Sequence, residues 1–315
     1  MTKKILITGG AGYIGSMVST KLVQQGFDVT VIDKLNYDPR SLCHLLHYKN
    51  FHFIEKDILD KKFIKSIIHQ FDYIIPLAAL VGAPLCEKFK KKALETNLNA
   101  IKFLIKNMKK KQRIIYTNSN SGYGIGDKKK YCDEKSPLNP ISLYGRTKVD
   151  AEECVMKFGN SITFRLATVF GYSYRMRTDL LLNNLVLLAL KNKKLDIFEP
   201  HFRRNFIHVR DVADAIVFSI KHFNKLKNNI YNLGMSKANV TKIDMVRKIK
   251  KNIKDLKIKY LVNKKDPDKR DYYVSNKKIE KKGFKAKIGI DQGIEEMIRV
   301  YKMKIDYKKQ TLCKW

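Results

Sequence analysis

Cysteine is scarce in this 315-residue chain and carries no pattern. Its five copies, Cys43, Cys86, Cys132, Cys154 and Cys313, are odd in number and lack CxxC spacing. That argues against a disulfide framework or a zinc site, so no metal is expected and a reducing cytoplasm fits. Long apolar runs are missing too. None reaches the length of a membrane span, and the first strand pattern begins almost at Met1, so neither membrane anchor nor signal peptide is expected. There is no internal repeat and no low-complexity linker. Acid is the third shortage: 30 Asp and Glu stand against 64 Lys and Arg, a net charge of +34. Such a surplus raises nucleic acid as a partner. The lysines are nevertheless spread along the chain. The densest stretch, Lys248 to Lys257, keeps the apolar rhythm of a helix with a solvated face. Lys, Asn, Ile, Phe and Tyr are abundant together, which fits a compositional bias, and specific nucleic-acid binding is not expected.

What is present gathers in two motifs. The first is Thr8-Gly9-Gly10-Ala11-Gly12-Tyr13-Ile14-Gly15, directly after the apolar run Lys4-Ile5-Leu6-Ile7. A buried parallel strand, a tight turn at Gly9 and Gly10, and a helix opening near Gly12 follow from that pattern. Glycine permits positive φ and lets backbone approach a pyrophosphate, and the helix N-terminus offers N–H groups to it. Gly15 should let the helix pack closely on the strand. Val29-Thr30-Val31-Ile32 reads as the second strand, with Asp33 at its end. A carboxylate there accepts hydrogen bonds from an adenosine ribose and repels a 2′-phosphate, so NAD is expected over NADP.

The second motif is Tyr144-Gly145-Arg146-Thr147-Lys148. A phenol titrates near ~10, too high for a base unless its anion is stabilised. Lys148 stands one helical turn from Tyr144 on the same face, where its charge favours the phenolate. Strands are expected at 4–8, 28–32, 51–54, 72–76, 113–117 and 162–166 with helices between them, giving an α/β fold with a doubly wound parallel Rossmann sheet. Lys92 to Lys109 and Leu143 to Phe158 should be long helices. The alternation loosens after Gly171. Residues 1–171 and 206–233 are therefore assigned to an NAD-binding domain, and 172–205 with 234–315 to a smaller C-terminal lobe.

The glycine spacing, the YxxxK and the length resemble the extended short-chain dehydrogenase/reductase family, also called the NAD-dependent epimerase/dehydratase family, over nearly the whole chain. Members mostly modify nucleotide-linked sugars. The resemblance implies cofactor contacts at Gly9, Gly12, Tyr13, Ile14, Gly15, Asp33, Asp57, Ile58, Leu77, Ala78, Ala79, Asn97, Tyr144 and Lys148. Pro76 stands where the family usually has His before its fourth-strand motif. Ser119 occupies the family's Ser/Thr position, where a hydroxyl binds the reacting oxygen, completing a catalytic set with Tyr144 and Lys148. Arg204, in Arg204-Asn205-Phe206-Ile207-His208-Val209, and Arg270 match arginines that hold a nucleotide diphosphate, with Arg177 and Asn183 as further substrate contacts. His208 reads as a packed structural histidine. The resemblance also implies pairing of the two long helices across a homodimer, or a dimer of dimers.

Closer similarity runs to the GDP-heptose 4-dehydrogenase branch of bacterial capsule pathways. It is carried by Val81-Gly82-Ala83-Pro84-Leu85-Cys86, by Asn120-Ser121-Gly122-Tyr123-Gly124-Ile125-Gly126 and by Asp266-Pro267-Asp268-Lys269-Arg270-Asp271-Tyr272. A GDP-sugar is therefore favoured, and the positive charge suits such a substrate. Nucleotide-sugar 4-epimerase is the alternative outcome. A 4,6-dehydratase would need an Asp–Glu pair where Asn120 and Ser121 stand. A non-catalytic NAD sensor would have no need of Tyr144 and Lys148.

Overall fold

Apolar residues alternate along the first strand, and the alternation sends them to two different cores. A computed structural model describes residues 2–126, 130–261 and 271–303. The strands are β1 (Lys4–Thr8), β2 (Asp28–Asp33), β3 (Phe51–Glu55), β4 (Tyr73–Pro76), β5 (Arg113–Ser119), β6 (Ser161–Leu166), β7 (Thr168–Phe170), β8 (Lys194–Phe198), β9 (Arg203–His208), β10 (Asn229–Leu233), β11 (Asn239–Thr241) and β12 (Lys257–Leu261). Seven of them form one sheet in the order β10-β6-β5-β4-β1-β2-β3, every pair parallel. Ile5 and Ile7 face one core with Val29 and Val31. Leu6 faces the other with Ile32, Ile74 and Ile114. A strand buried on both faces must read as a continuous apolar run, which is what Lys4-Ile5-Leu6-Ile7 does. Each fully buried aliphatic side chain contributes roughly 1.5–3 kcal/mol.

The order changes direction at β1, which lies between β2 and β4. A crevice opens at the C-terminal ends of strands at such a switch point, the place where ligands bind in open α/β sheets. Helices Tyr13–Gln24 and Val209–Lys221 pack against each other on one face. Helices Lys61–Ile67, Ala100–Asn107 and Leu143–Phe158 cover the other. The helical stretch expected from Lys92 starts at Lys90 and carries one wide turn, Glu95–Asn99, with π-helical bonding.

A further core gathers Phe170, Leu182, Phe206, Met245, Ile294 and Met297 beside the small sheets β11-β9-β7 and β12-β8. The helix expected through Lys257 instead runs Lys242–Asn252, opened by a Thr241–Asp244 capping box. Ile253 and Leu256 are buried in the turn that follows, and Lys257 already begins β12. Their apolar spacing serves a turn packed on the core, which mimics a helical rhythm over so short a stretch.

Candidate active site

Geometry at the glycine turn leaves no room for side chains at Gly9, Gly10 and Gly15. Gly9 has φ +75°, and a Cβ there would lie 2.4 Å from the Ala78 nitrogen. This places the turn directly against Leu77-Ala78-Ala79, whose Leu77 N–H donates to the Thr8 carbonyl at 2.8 Å. Gly15 does not pack on the strand as expected; a Cβ there would strike the Gly9 carbonyl oxygen at 2.2 Å. The strand contact belongs to Gly10, whose Cβ would lie 2.6 Å from Val31 Cγ1. The reason is the sharpness of the turn, which folds Gly9 and Gly10 under the helix start. Gly12 caps that helix without a side-chain hydrogen bond, and no acid stands in its first turn. An N-terminus of that kind, at a turn with no space for a Cβ at Gly9, Gly10 or Gly15, fits a pyrophosphate.

Asp33 ends β2 beside the turn. Its carboxylate accepts from the Ala11 N–H at 3.0 Å and the Leu35 N–H at 2.9 Å, pinning the glycine turn to the end of β2. Burial pushes its pKa up, against these hydrogen bonds. A carboxylate has about four acceptor sites, so these N–H groups leave capacity for a ribose hydroxyl. Asp57 accepts from Lys34 at 2.8 Å and from the Leu59 N–H at 3.0 Å. Burial works to raise its pKa, but Lys34 and the Leu59 N–H hold it below the ordinary value. Ile58 beside it is buried. The Asn97 amide accepts from the Leu80 N–H at 2.8 Å, donates to the Leu80 carbonyl at 2.9 Å and reaches Thr147 Oγ1 at 3.5 Å. It therefore ties the strand-end motif to the helix of Tyr144 from within the π turn, a distortion common at functional sites.

Lys148 is 6% exposed, and its ammonium lies 4.1 Å from the centroid of the Tyr116 ring of β5. Burial pushes its pKa down to about 7, with Glu152 pulling the other way. Tyr144, half-buried, starts the same helix, which Ser142 caps through the Gly145 N–H at 3.1 Å. Ser119 ends β5 and accepts from the Ser121 N–H at 3.2 Å. Helix and strand meet at Tyr116–Lys148 and again at Asn118–Glu152, whose side chains are 2.7 Å apart. The three catalytic candidates thus lie along one helix–strand contact. Reading the sequence missed Glu152, although its i+4 spacing from Lys148 was available as a signal.

The substrate candidates are less uniform. Asn183 is fully buried and spends its amide on the Gly171 N–H, the Arg177 carbonyl and the Tyr13 hydroxyl, at 3.0, 2.9 and 3.4 Å. It holds the loop that carries Arg177. Arg177 forms a two-pronged pair with Asp179 and lies close enough to Tyr144 for their charges to interact. Arg204 is 1% exposed, faces the Tyr272 ring at 6.0 Å and donates to the Arg203 carbonyl at 2.9 Å. Arg270 lies outside the described residues. The Tyr13 phenol is buried and donates to the Gly171 carbonyl at 2.8 Å. Arg175, not foreseen from sequence, is buried with its guanidinium 3.6 Å over the Tyr37 ring. His208 is fully buried, and its Nδ1 caps the next helix through the Arg210 N–H at 3.2 Å. Among the described residues no cluster of His, Cys, Asp and Glu could hold a metal ion, and no helix is long and apolar enough to cross a membrane.

A profile of the NAD dependent epimerase/dehydratase family matches residues 5–234, from β1 through β10. The chain belongs to that family. Among epimerase/dehydratase relatives, dTDP-D-glucose 4,6-dehydratase of Dictyostelium discoideum is 29% identical over 78% of this chain and 61% of its own length. UDP-glucose 4-epimerase of Lactobacillus helveticus is 28% identical over 73% of this chain and 76% of its own. The chain spans less than two thirds of several relatives, 47% of a trifunctional 4,6-dehydratase, epimerase and reductase of Arabidopsis thaliana among them. The structure of a point mutant of UDP-glucuronic acid 4-epimerase from Bacillus cereus, solved with a fluorinated UDP-sugar and NAD, superposes with a TM-score of 0.86 at 21% identity, covering 96% of this chain and all of that one. The agreement with the epimerase/dehydratase fold extends to nearly every described element.

Proposed function

We propose that this chain oxidises C4 of a nucleotide-activated sugar with NAD as cofactor. The observation that supports the reading is a glycine turn packed on Leu77-Ala78-Ala79, a segment tied through Asn97 to the helix that carries Tyr144 and Lys148, with Lys148 lying on β5, the strand that ends at Ser119. NAD, when bound by the Gly9–Gly15 turn, Asp33 and Asn97, supplies the hydride acceptor. Tyr144 takes the C4 hydroxyl proton, Lys148 favours its phenolate, and Ser119 donates to the oxygen as it becomes a carbonyl. The segments 172–205 and 234–315 are assigned to substrate binding, with Arg204 and Arg270 toward the diphosphate and Arg177 and Asn183 as further contacts, Arg270 lying outside the described residues. Exposed Leu94 on the Lys90–Asn107 stretch fits a homodimer face against the Leu143–Phe158 helix.

Within this class, the motifs at 81–86 and 120–126 favour 4-dehydrogenation of a GDP-heptose, whereas the relatives are named for UDP- and dTDP-sugars. The UDP-glucose 4-epimerase relative supports the second reading, return of the hydride to the opposite face. Asn120 and Ser121 argue against elimination of water, because an amide and a hydroxyl do not titrate in the useful range. The deciding experiment offers GDP-, UDP- and dTDP-sugars to NAD-loaded protein and weighs the products. Loss of two hydrogens supports 4-dehydrogenation, and unchanged mass with altered stereochemistry supports the epimerase. A product lighter by water overturns the reading of Asn120 and Ser121. Tyr144→Phe should abolish ketone formation.

A further inference from the structure

The proposed mechanism leaves a buried acid unused one turn beyond Lys148. Glu152 is 3% exposed and sits at the centre of a continuous set of hydrogen bonds. One carboxylate oxygen accepts from the Asn118 amide at 2.7 Å, and both accept from Arg165 of β6, at 2.7 to 3.2 Å. Asn118 and Arg165 are register partners on β5 and β6, so both point at the helix from the same face of the sheet. The same Asn118 amide accepts from the Ser119 N–H at 2.7 Å. Arg165 continues to the Tyr123 hydroxyl at 3.1 Å, which donates to Asn232 at 2.6 Å, and Asn232 donates to the Ser275 carbonyl at 3.1 Å.

We infer that Glu152 is a positioning residue of the catalytic centre, fixing the Tyr144–Lys148 helix against Ser119 and supporting the Lys148 ammonium with its charge. The inference rests on the proposed roles of those three residues. A buried ion pair is often no more stabilising than apolar side chains of the same volume, so stability alone gives little reason for one here. Orientation gives a reason. Through Asn118 the carboxylate is two hydrogen bonds from the Ser119 backbone, and along its own helix it is one turn from Lys148. The groups acting on Lys148 among the described residues are the Tyr116 ring from β5 and, on its own helix, Glu152, which Arg165 from β6 pairs; Arg177, from the loop after β7, acts on Tyr144. Glu152 is the single acid that offsets the burial of the ammonium.

The test uses NAD-loaded protein and tyrosinate absorbance across a pH titration, with the Tyr144→Phe counterpart of each variant subtracted to isolate Tyr144. Glu152→Gln removes the acid and leaves Arg165 facing the site, so the Tyr144–Lys148 pair should release its protons at lower pH. The midpoint should fall by about one unit, the effect expected of a charge within one helical turn. Glu152→Asp keeps the charge and should restore it. If the single Gln variant does not fold, Glu152→Gln/Arg165→Gln removes both charges while keeping hydrogen-bonding groups. Its midpoint should also fall, because Glu152 and not Arg165 is the charge that acts on Lys148. A midpoint unmoved in the Gln variant that folds overturns the inference. A wild-type Tyr144 that titrates like a free phenol overturns instead the assignment of Tyr144 as base.

Discussion

Lys148 favours the chemistry and opposes the fold. Its folded pKa of about 7 lies below the ordinary lysine value of 10.5, so the unfolded chain holds the extra proton between those two limits. Stability therefore rises with pH across that window, by at most about 1.4 kcal/mol per unit, and below it the buried charge costs the fold in full. Urea midpoints of wild type and Lys148→Met should differ most in favour of the variant near pH ~6.5 and converge only as pH approaches ~10.5; parallel curves would mean that the ammonium is not buried as described. At Gly9 the argument is steric. A Cβ at φ +75° and 2.4 Å from Ala78 cannot be accommodated without moving the turn. Gly9→Ala should lower stability by roughly 1–3 kcal/mol and abolish NAD binding in calorimetry, while Asp33→Ala should narrow the preference for NAD over NADP.

At the scale of elements, the segment after β7 is pressed onto the start of the Tyr13–Gln24 helix. Tyr13 reaches Gly171, Ser173 donates to the Tyr13 carbonyl at 2.6 Å and meets Ser16 at 3.0 Å, and Asn183 fastens the loop from behind. Asn183→Ala leaves the buried Gly171 N–H without its partner, so it should cost about 1–3 kcal/mol in thermal unfolding. It should also weaken sugar-nucleotide binding by loosening Arg177; unchanged affinity would detach that loop from the substrate site. These contacts mark where reading the sequence stopped. The strands were legible because a sheet buried on both faces writes itself as apolar runs, and the glycine turn because its chemistry is local. The contact between the Tyr13 and Asn183 side chains spans 170 positions of sequence, which no local spacing encodes. Asn118 and Arg165 escaped for the same reason, each being ordinary in its own strand; Glu152 had its spacing from Lys148 as a signal, but its partners appear only after β5, β6 and the helix are packed together.

For the whole molecule, the charge of +34 bears on encounter rather than on fold. Association with a doubly charged sugar nucleotide, followed by stopped flow, should slow markedly between about 0.02 and 0.2 M salt, as the screening length falls. A flat response would show that the surplus lysines lie too far from the crevice to steer anything. The topology carries another consequence. β6 pairs on one side with β5, but its other neighbour, β10, begins at Asn229, after the whole excursion that starts at β7. On a ribosome adding about 5–20 residues per second, that excursion of roughly 60 residues takes about 3–12 s. Throughout that interval Ser161–Leu166, buried at every position in the finished protein, presents a bare backbone edge to its surroundings. A nascent chain stalled before Asn229 therefore displays an adhesive seam absent from the completed protein, and chaperone capture or misassembly during synthesis should concentrate there.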